Sequence, residues 1–390
     1  MDLDRRRRWH LTEYQHVEQS SAFHVFQWAP DGERRRQLRD ATGMAPALAG
    51  VEGEWAQLLT LMHYVHGLSA HQGWQEAPDL SGLTLLAMAQ DGRVTFRCVE
   101  FAHMLQQVCA AFGFAARVLG LRRLGSGDGI GRGHVVVDVW SPPHGKWVVL
   151  DPQFDRYYQD RSGRVLSAWE LVDRVRAGQF ADILASGEGE ARVEYMGHEA
   201  QDNTEYDKLP VPDGFDRDEV WRALPARGGY DGFRRFWLEY YYQLVYRTRY
   251  ALERPASLDG HSGDDAPPLF FHAPGELPPV LMQRLPQTVR FTTDRSKLDV
   301  PLEGVEVQWA PAKAALDAPM AATRLVDLIL THSMPWFDHY EVAVGGGPWH
   351  RHRTHRRRVA LSAGENRIQV RAVNDLGRAG PSAVVGLAVN

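Results

Sequence analysis

Cys98, His134 and Asp151 are a thiol, an imidazole and a carboxylate met in that order along the chain. Cys98 lies in Phe96-Arg97-Cys98-Val99-Glu100-Phe101-Ala102, a segment that reads as the start of a helix. His134 opens Gly133-His134-Val135-Val136-Val137-Asp138, and Asp151 closes Lys146-Trp147-Val148-Val149-Leu150-Asp151-Pro152; both segments have strand character. A thiol becomes a strong nucleophile only after losing its proton. The unpaired N–H groups and the dipole at a helix N-terminus favour the thiolate. An imidazole can take the proton and return it to a leaving group, and a carboxylate can fix the ring's orientation. These three residue types in this order are suited to nucleophilic acyl chemistry.

Periodicity defines the elements that must position them. Phe101, Leu105, Val108, Cys109 and Phe112 trace one buried stripe of a helix that starts at Cys98, and Gly113 supplies a left-handed stop. Cys109 falls on that stripe and reads as core. Residues 114–124 read as a strand, and the glycine-rich run 125–133 as a flexible loop flanking a cleft. Two further strands, 134–140 and 146–150, are joined by Ser141-Pro142-Pro143-His144-Gly145. By the period of two, His134, Val136 and Asp138 share one strand face, and Trp147, Val149 and Asp151 share another. With Ser141 opposite Lys146, Val136 faces Asp151 and His134 is its diagonal neighbour, roughly 7–8 Å away at the backbone. A one-residue slip would separate His134 from Asp151. Asp138, on the face of His134, reads as a polar sheet position or an ion-pair partner, and Glu100 as a first-turn charge facing the helix dipole.

The segments Cys98-Val99-Glu100-Phe101-Ala102, Gly113-Phe114-Ala115-Ala116-Arg117-Val118, Gly133-His134-Val135-Val136-Val137-Asp138-Val139-Trp140 and Lys146-Trp147-Val148-Val149-Leu150-Asp151-Pro152 resemble the core of the transglutaminase-like superfamily. The likeness spans residues 50–175 and is sharp over 96–153. It implies an α+β class with a papain-like core, a nucleophile helix packed on an antiparallel sheet. It also implies Cys98 as nucleophile, His134 as general base and acid, and Asp151 as orienter. A second oxyanion donor upstream of the nucleophile is implied as well, for which Trp74 and Gln75 are the candidates beside the Cys98 amide. The superfamily holds acyltransferases, amidases, proteases and members without catalysis, so an inactive binding or scaffold protein stays open beside the enzyme. The acyl donor implied is a protein, a peptide or a peptide-like molecule, with no cofactor; nothing in the residues chooses water or an amine as acceptor.

Around this core the pattern is helical from Glu54, with Trp55, Leu58, Leu59, Met62, Val65 and His66 on one face and Gly67 at the end. Short helices are expected over 84–89 and 169–176, and an aromatic helix over 230–250 carrying Phe233, Phe236, Trp237, Tyr240, Tyr241 and Leu244. Residues 255–278 are rich in Pro, Gly, Asp and His. Beyond 280, short strands at 289–293, 305–309, 340–344, 358–361, 368–373 and 383–389 alternate with turns, which predicts a β-sandwich. Gly364-Glu365-Asn366-Arg367-Ile368-Gln369-Val370 and Asn374-Asp375-Leu376-Gly377 resemble the closing strands of an immunoglobulin- or fibronectin-like module. The expected organisation is an N-terminal extension (1–50), a catalytic domain with a helical extension (51–255), a linker (256–280) and the sandwich (281–390).

Bulk properties narrow the classes. The 390 residues are 44% hydrophobic and 24% charged, ordinary for a globular chain long enough for two or three domains. The net charge of −5 does not suggest a nucleic-acid partner. With two cysteines in all, no disulfide framework is possible. Arg5 to Arg8 are followed by no apolar core and no apolar run approaches ~20 residues, so neither a secretory signal nor a membrane span is expected, and the expected location is cytoplasmic. His63, His66 and His71, and likewise His350, His352 and His355, lack the spacing of a metalloprotease helix, and no metal is expected. The glycine run 125–133 precedes a strand, where a phosphate loop needs a helix.

Overall fold

The computed structural model describes residues 9–16, 27–28, 32–69, 77, 79–92, 95–122, 133–186, 238–247, 249–250, 269–271, 290–291, 294–299, 301–312 and 324–389. They fall into two compact units, Phe26–Leu298 and a discontinuous unit of Met1–Val25 with Asp299–Asn390. Residues 1–50 are thus divided between the two. The class is mixed α+β with largely antiparallel sheets. Among the described residues no helix is long and apolar enough to cross a membrane.

The chain opens with β1 (Trp9–Gln15), which belongs to the discontinuous unit. The unit from Phe26 begins with β2 (Gln27–Trp28), α1 (Gly32–Thr42), α2 (Ala45–Ala49), α3 (Glu54–His66), α4 (Gly82–Asp91) and α5 (Cys98–Ala111). There follow β3 (Ala116–Arg122), β4 (Gly133–Ser141), β5 (Lys146–Asp151), β6 (Arg156–Gln159), α6 (Ala168–Arg176) and β7 (Leu184–Ala185). The unit ends with β8 (Gln243–Arg247), β9 (Arg249–Tyr250), β10 (Leu269–Phe271) and β11 (Arg290–Phe291). Eight strands form one sheet in the order β11-β10-β8-β3-β4-β5-β6-β7. The β4–β5 register sets Ser141 opposite Lys146 and Val137 opposite Leu150. That is the register inferred from the turn, so His134 and Asp151 share a face.

The helix α5 is the spine of this unit. It packs on α1, α3 and α4 and on strands β3 and β4. Phe101, Leu105, Val108 and Cys109 are fully buried in one core with Val118, Val135, Val137 and Val139. Val135, Val137 and Val139 of β4 therefore face the body of α5, and His134, Val136 and Asp138 alternate with them along the strand. The helix stops at Gly113, whose φ of 80° frees the Phe114 N–H to bond back to Cys109 at 2.8 Å. Gly82 lets α4 approach α1, since a Cβ there would lie 2.6 Å from Leu38 Cδ2.

Two expectations are corrected. The helix expected over 230–250 does not extend through its C-terminal part: Leu238 is helical, but Gln243–Arg247 is a strand paired with β3 and β10. Aromatic and β-branched residues fit a pleated surface, and pairing with β3 overrides the helical spacing. Residues 230–237 lie outside the described residues. The linker expected over 256–280 contains β10, which joins the eight-stranded sheet; the rest of that stretch also lies outside them.

In the discontinuous unit, β12 (Val305–Pro311), β13 (Leu325–His332) and β16 (Arg356–Ala360) form a three-stranded sheet. The other sheet takes β1, β14 (Phe337–Val344), β15 (His350–His352), β17 (Gly364–Asn374) and β18 (Ala383–Val389) in the order β1-β18-β17-β14-β15. Val307, Leu328 and Leu330 of one sheet share a core with Val342, Ile368 and Val385 of the other. The strand β13 was not anticipated, because Ile329 between buried Leu328 and Leu330 faces outward and blurs the alternation. Where β1 bulges between Leu11 and Glu13 it passes Gly386. A Cβ on Gly386 would sit 2.9 Å from the Glu13 nitrogen, so the close approach needs glycine.

Candidate active site

Cys98 is the first residue of α5 and is partly exposed. Its helix start is tied down by a buried carboxylate. Glu100 Oε2 accepts the Arg97 N–H at 3.0 Å and the Arg97 Nε at 3.1 Å, and Oε1 accepts Arg97 Nη2 at 2.6 Å. Glu100 Oε1 also accepts the Ala77 N–H at 3.4 Å. The backbone just downstream of Trp74 and Gln75 is thereby fastened to α5. Trp74 and Gln75 themselves lie outside the described residues.

The Cys98 sulfur lies near β4, where the Val135 N–H favours its thiolate. Val135 follows His134, so the thiol sits one residue along the strand from the imidazole. His134 Nε2 and Asp151 Oδ2 are 2.8 Å apart, and both residues are buried. The structure thus joins His134 to Asp151 and sets Cys98 beside the same strand end.

Electrostatics differ across the three. Burial pushes the Cys98 thiol up to about 12, and the charge of Glu100 adds to this; the Val135 N–H and Arg97 oppose it. Burial and Glu100 both favour the protonated thiol over the thiolate. Burial alone would raise the Asp151 carboxyl, but His134 and then Arg156 outweigh it and hold the group below the usual carboxylate range.

Several neighbours were not legible from the motifs. Arg156 pairs with Asp151 across the β5–β6 ladder, and its Nε is 3.8 Å from Asp151 Oδ2. The Phe154 ring lies 5.7 Å from the His134 ring, and the Tyr240 ring 6.1 Å from it. Tyr158 and Tyr241 pack edge-on at 5.4 Å; burial pushes the Tyr158 phenol up to about 12 and the Tyr241 phenol well above its ordinary range. Both phenols stay protonated, so this side of Asp151 is apolar or neutral apart from Arg156. The signal in the sequence was the short Pro152-Gln153-Phe154-Asp155 turn, which returns the chain so that Arg156 lies opposite Asp151.

His63 and His66 serve that same turn. His63 Nδ1 is 3.0 Å from Asp155 Oδ2, and His66 Nδ1 is 3.1 Å from the carbonyl oxygens of both Pro152 and Gln153. Asp155 holds a φ of 48° there. Asp138 is claimed by another partner. Arg117 Nε and Nη2 donate to Asp138 Oδ2 at 2.9 and 2.6 Å, Nη1 donates to the Leu298 carbonyl at 2.5 Å, and the guanidinium lies 3.8 Å from the Trp147 ring. Cys109 is core, as its position on the stripe required.

No family model matches the chain, and no curated protein is significantly similar to it.

Proposed function

We propose that the chain is a transglutaminase-like thiol enzyme that transfers or hydrolyses an acyl group through a Cys98 acyl-enzyme. The observation that carries this reading is the buried His134–Asp151 pair at 2.8 Å, with Val135, the residue following His134, influencing the Cys98 sulfur. In the first step Cys98 attacks the carbonyl carbon of an amide or thioester while His134 takes the thiol proton. The tetrahedral intermediate collapses, the C–N or C–S bond breaks, and His134 returns the proton to the leaving amine or thiol. In the second step His134 takes a proton from water or an amine as it attacks the thioester, and Cys98 leaves as the thiol. Asp151 orients the ring and offsets the imidazolium charge. The Cys98 N–H, with a donor from the segment carrying Trp74 and Gln75, would hold the oxyanion. The two-sheet unit with a shared core is read as an immunoglobulin- or fibronectin-like sandwich that presents a protein, peptide or peptide-like acyl donor.

A second reading, a binding protein that has lost turnover, is favoured by the direction in which burial and Glu100 push the thiol, up to about 12. Intact-protein mass spectrometry separates the two. The full chain is incubated with glutamine peptides, other peptides and acyl thioesters, and scanned for an acyl adduct. The enzyme reading expects an adduct on Cys98 that is absent from Cys98→Ala and reduced about 100-fold or more in rate in His134→Ala. No adduct from any donor class, with Cys98 alkylated by iodoacetamide no faster than in the unfolded chain, supports the binding protein.

A further inference from the structure

Asp151 is fully buried, and a buried carboxylate stays ionised only beside compensating charge or hydrogen bonds. His134 lowers the Asp151 carboxyl most, and the Phe154 N–H also helps; Arg156 adds a charge that does not titrate. Arg156, opposite Asp151 in the ladder, is nearly as buried and always charged. Its Nε lies 3.8 Å from Oδ2, the same oxygen that bonds His134 Nε2 at 2.8 Å. At that distance the guanidinium acts as a charge without taking the hydrogen bond. It is held there by rings: its centre lies 4.3 Å from the Phe154 ring and 5.4 Å from the Tyr158 ring. Phe154 in turn covers His134 at 5.7 Å. The groups facing Asp151 are His134 from β4, Arg156 and Tyr158 from β6, Tyr241 ahead of β8, and Cys98 at the start of α5.

We infer that Arg156 is a positioning residue, resting on the reading of Cys98, His134 and Asp151 as one site: it keeps Asp151 a carboxylate while leaving Oδ2 to His134. The active range of the site at low pH is then set by a side chain that touches no substrate.

The test uses the full chain and two readouts. One is the Asp151 carboxyl followed by NMR of carbon-13-labelled aspartate, with Asp151→Asn assigning the signal. The other is the rate of Cys98 alkylation by iodoacetamide against pH, read by intact mass. Arg156→Gln is expected to raise the Asp151 midpoint by about one pH unit and to carry the acid edge of alkylation up with it. Arg156→Lys, which keeps the charge, is expected to restore both. Arg156→Met, whose stem still packs on Phe154 and Tyr158, replaces the Gln variant if that variant does not fold. A midpoint and an acid edge unmoved in Gln or Met would overturn the role of Arg156 and leave the triad standing. Wild-type Cys98 alkylating no faster than in His134→Ala would remove the triad reading and this inference with it.

Discussion

Two buried aspartates, Asp138 and Asp151, share one face of the β4–β5 hairpin, and the structure gives them different work. Asp138 neutralises Arg117, whose guanidinium is fully buried. Asp138→Ala would strand that cation in the core. Removing one member of a buried pair costs about 3–5 kcal/mol. Arg117 would keep the Leu298 carbonyl and the Trp147 face, which points to the lower end, about 3 kcal/mol. For a unit of this size that is a fall in Tm of about 6–12 °C. Calorimetry of the full chain reads it directly. The double variant Arg117→Met/Asp138→Leu, with no stranded charge, should recover at least about half the loss. The pH profile of Cys98 alkylation should be unchanged in Asp138→Ala and displaced in Asp151→Asn. A Tm within about 2 °C of wild type would show that Arg117 is not stranded, and an alkylation profile shifted as in Asp151→Asn would place Asp138 in the site.

Two more outcomes follow from the described contacts. His332 stacks on Phe337 at 3.9 Å and accepts the Met334 N–H at 3.2 Å; burial lowers it to about 4, so its contribution is complete above about pH 6.5 and is lost as pH falls toward 4. Urea titrations at pH 7 and pH 4 should show wild type losing about 2–3 kcal/mol more than His332→Gln, and equal losses would contradict the assignment. Glu100→Gln removes a charge that opposes the Cys98 thiolate but leaves Arg97 without its ion pair. The alkylation midpoint should fall by about one pH unit while the Tm also falls; a midpoint that stays or rises would show that Glu100 does not act on the sulfur.

The hairpin and its nucleophile helix were legible because local rules decide them. The five-residue connection Ser141-Pro142-Pro143-His144-Gly145 permits one register, Gly145 takes the left-handed turn with φ 60°, and alternation then assigns the faces. The stripe from Phe101 to Cys109 placed α5 on the sheet for the same reason. Less visible were features set by distant pairing. Gln243–Arg247 follows an aromatic run whose spacing suits a helix, and pairing with β3 and β10 makes it a strand. Arg156 lies five residues past Asp151 with no motif to mark it, and its meaning depends on a tight turn bringing it back. The role of His66 likewise depends on where α3 packs, which no period in the sequence encodes.

One feature of the discontinuous unit bears on how the molecule is made. Among the described residues the strand β1 pairs with β18 alone, with Trp9 across from Val389. A ribosome would release β1 long before its partner exists, while every strand of the Phe26–Leu298 sheet is already available. Assembly of that edge must therefore wait until synthesis has passed Val389. Until then the nascent chain carries an unpaired strand, the state most open to wrong partners. A circular permutant joining the two strands by a short turn would remove this delay.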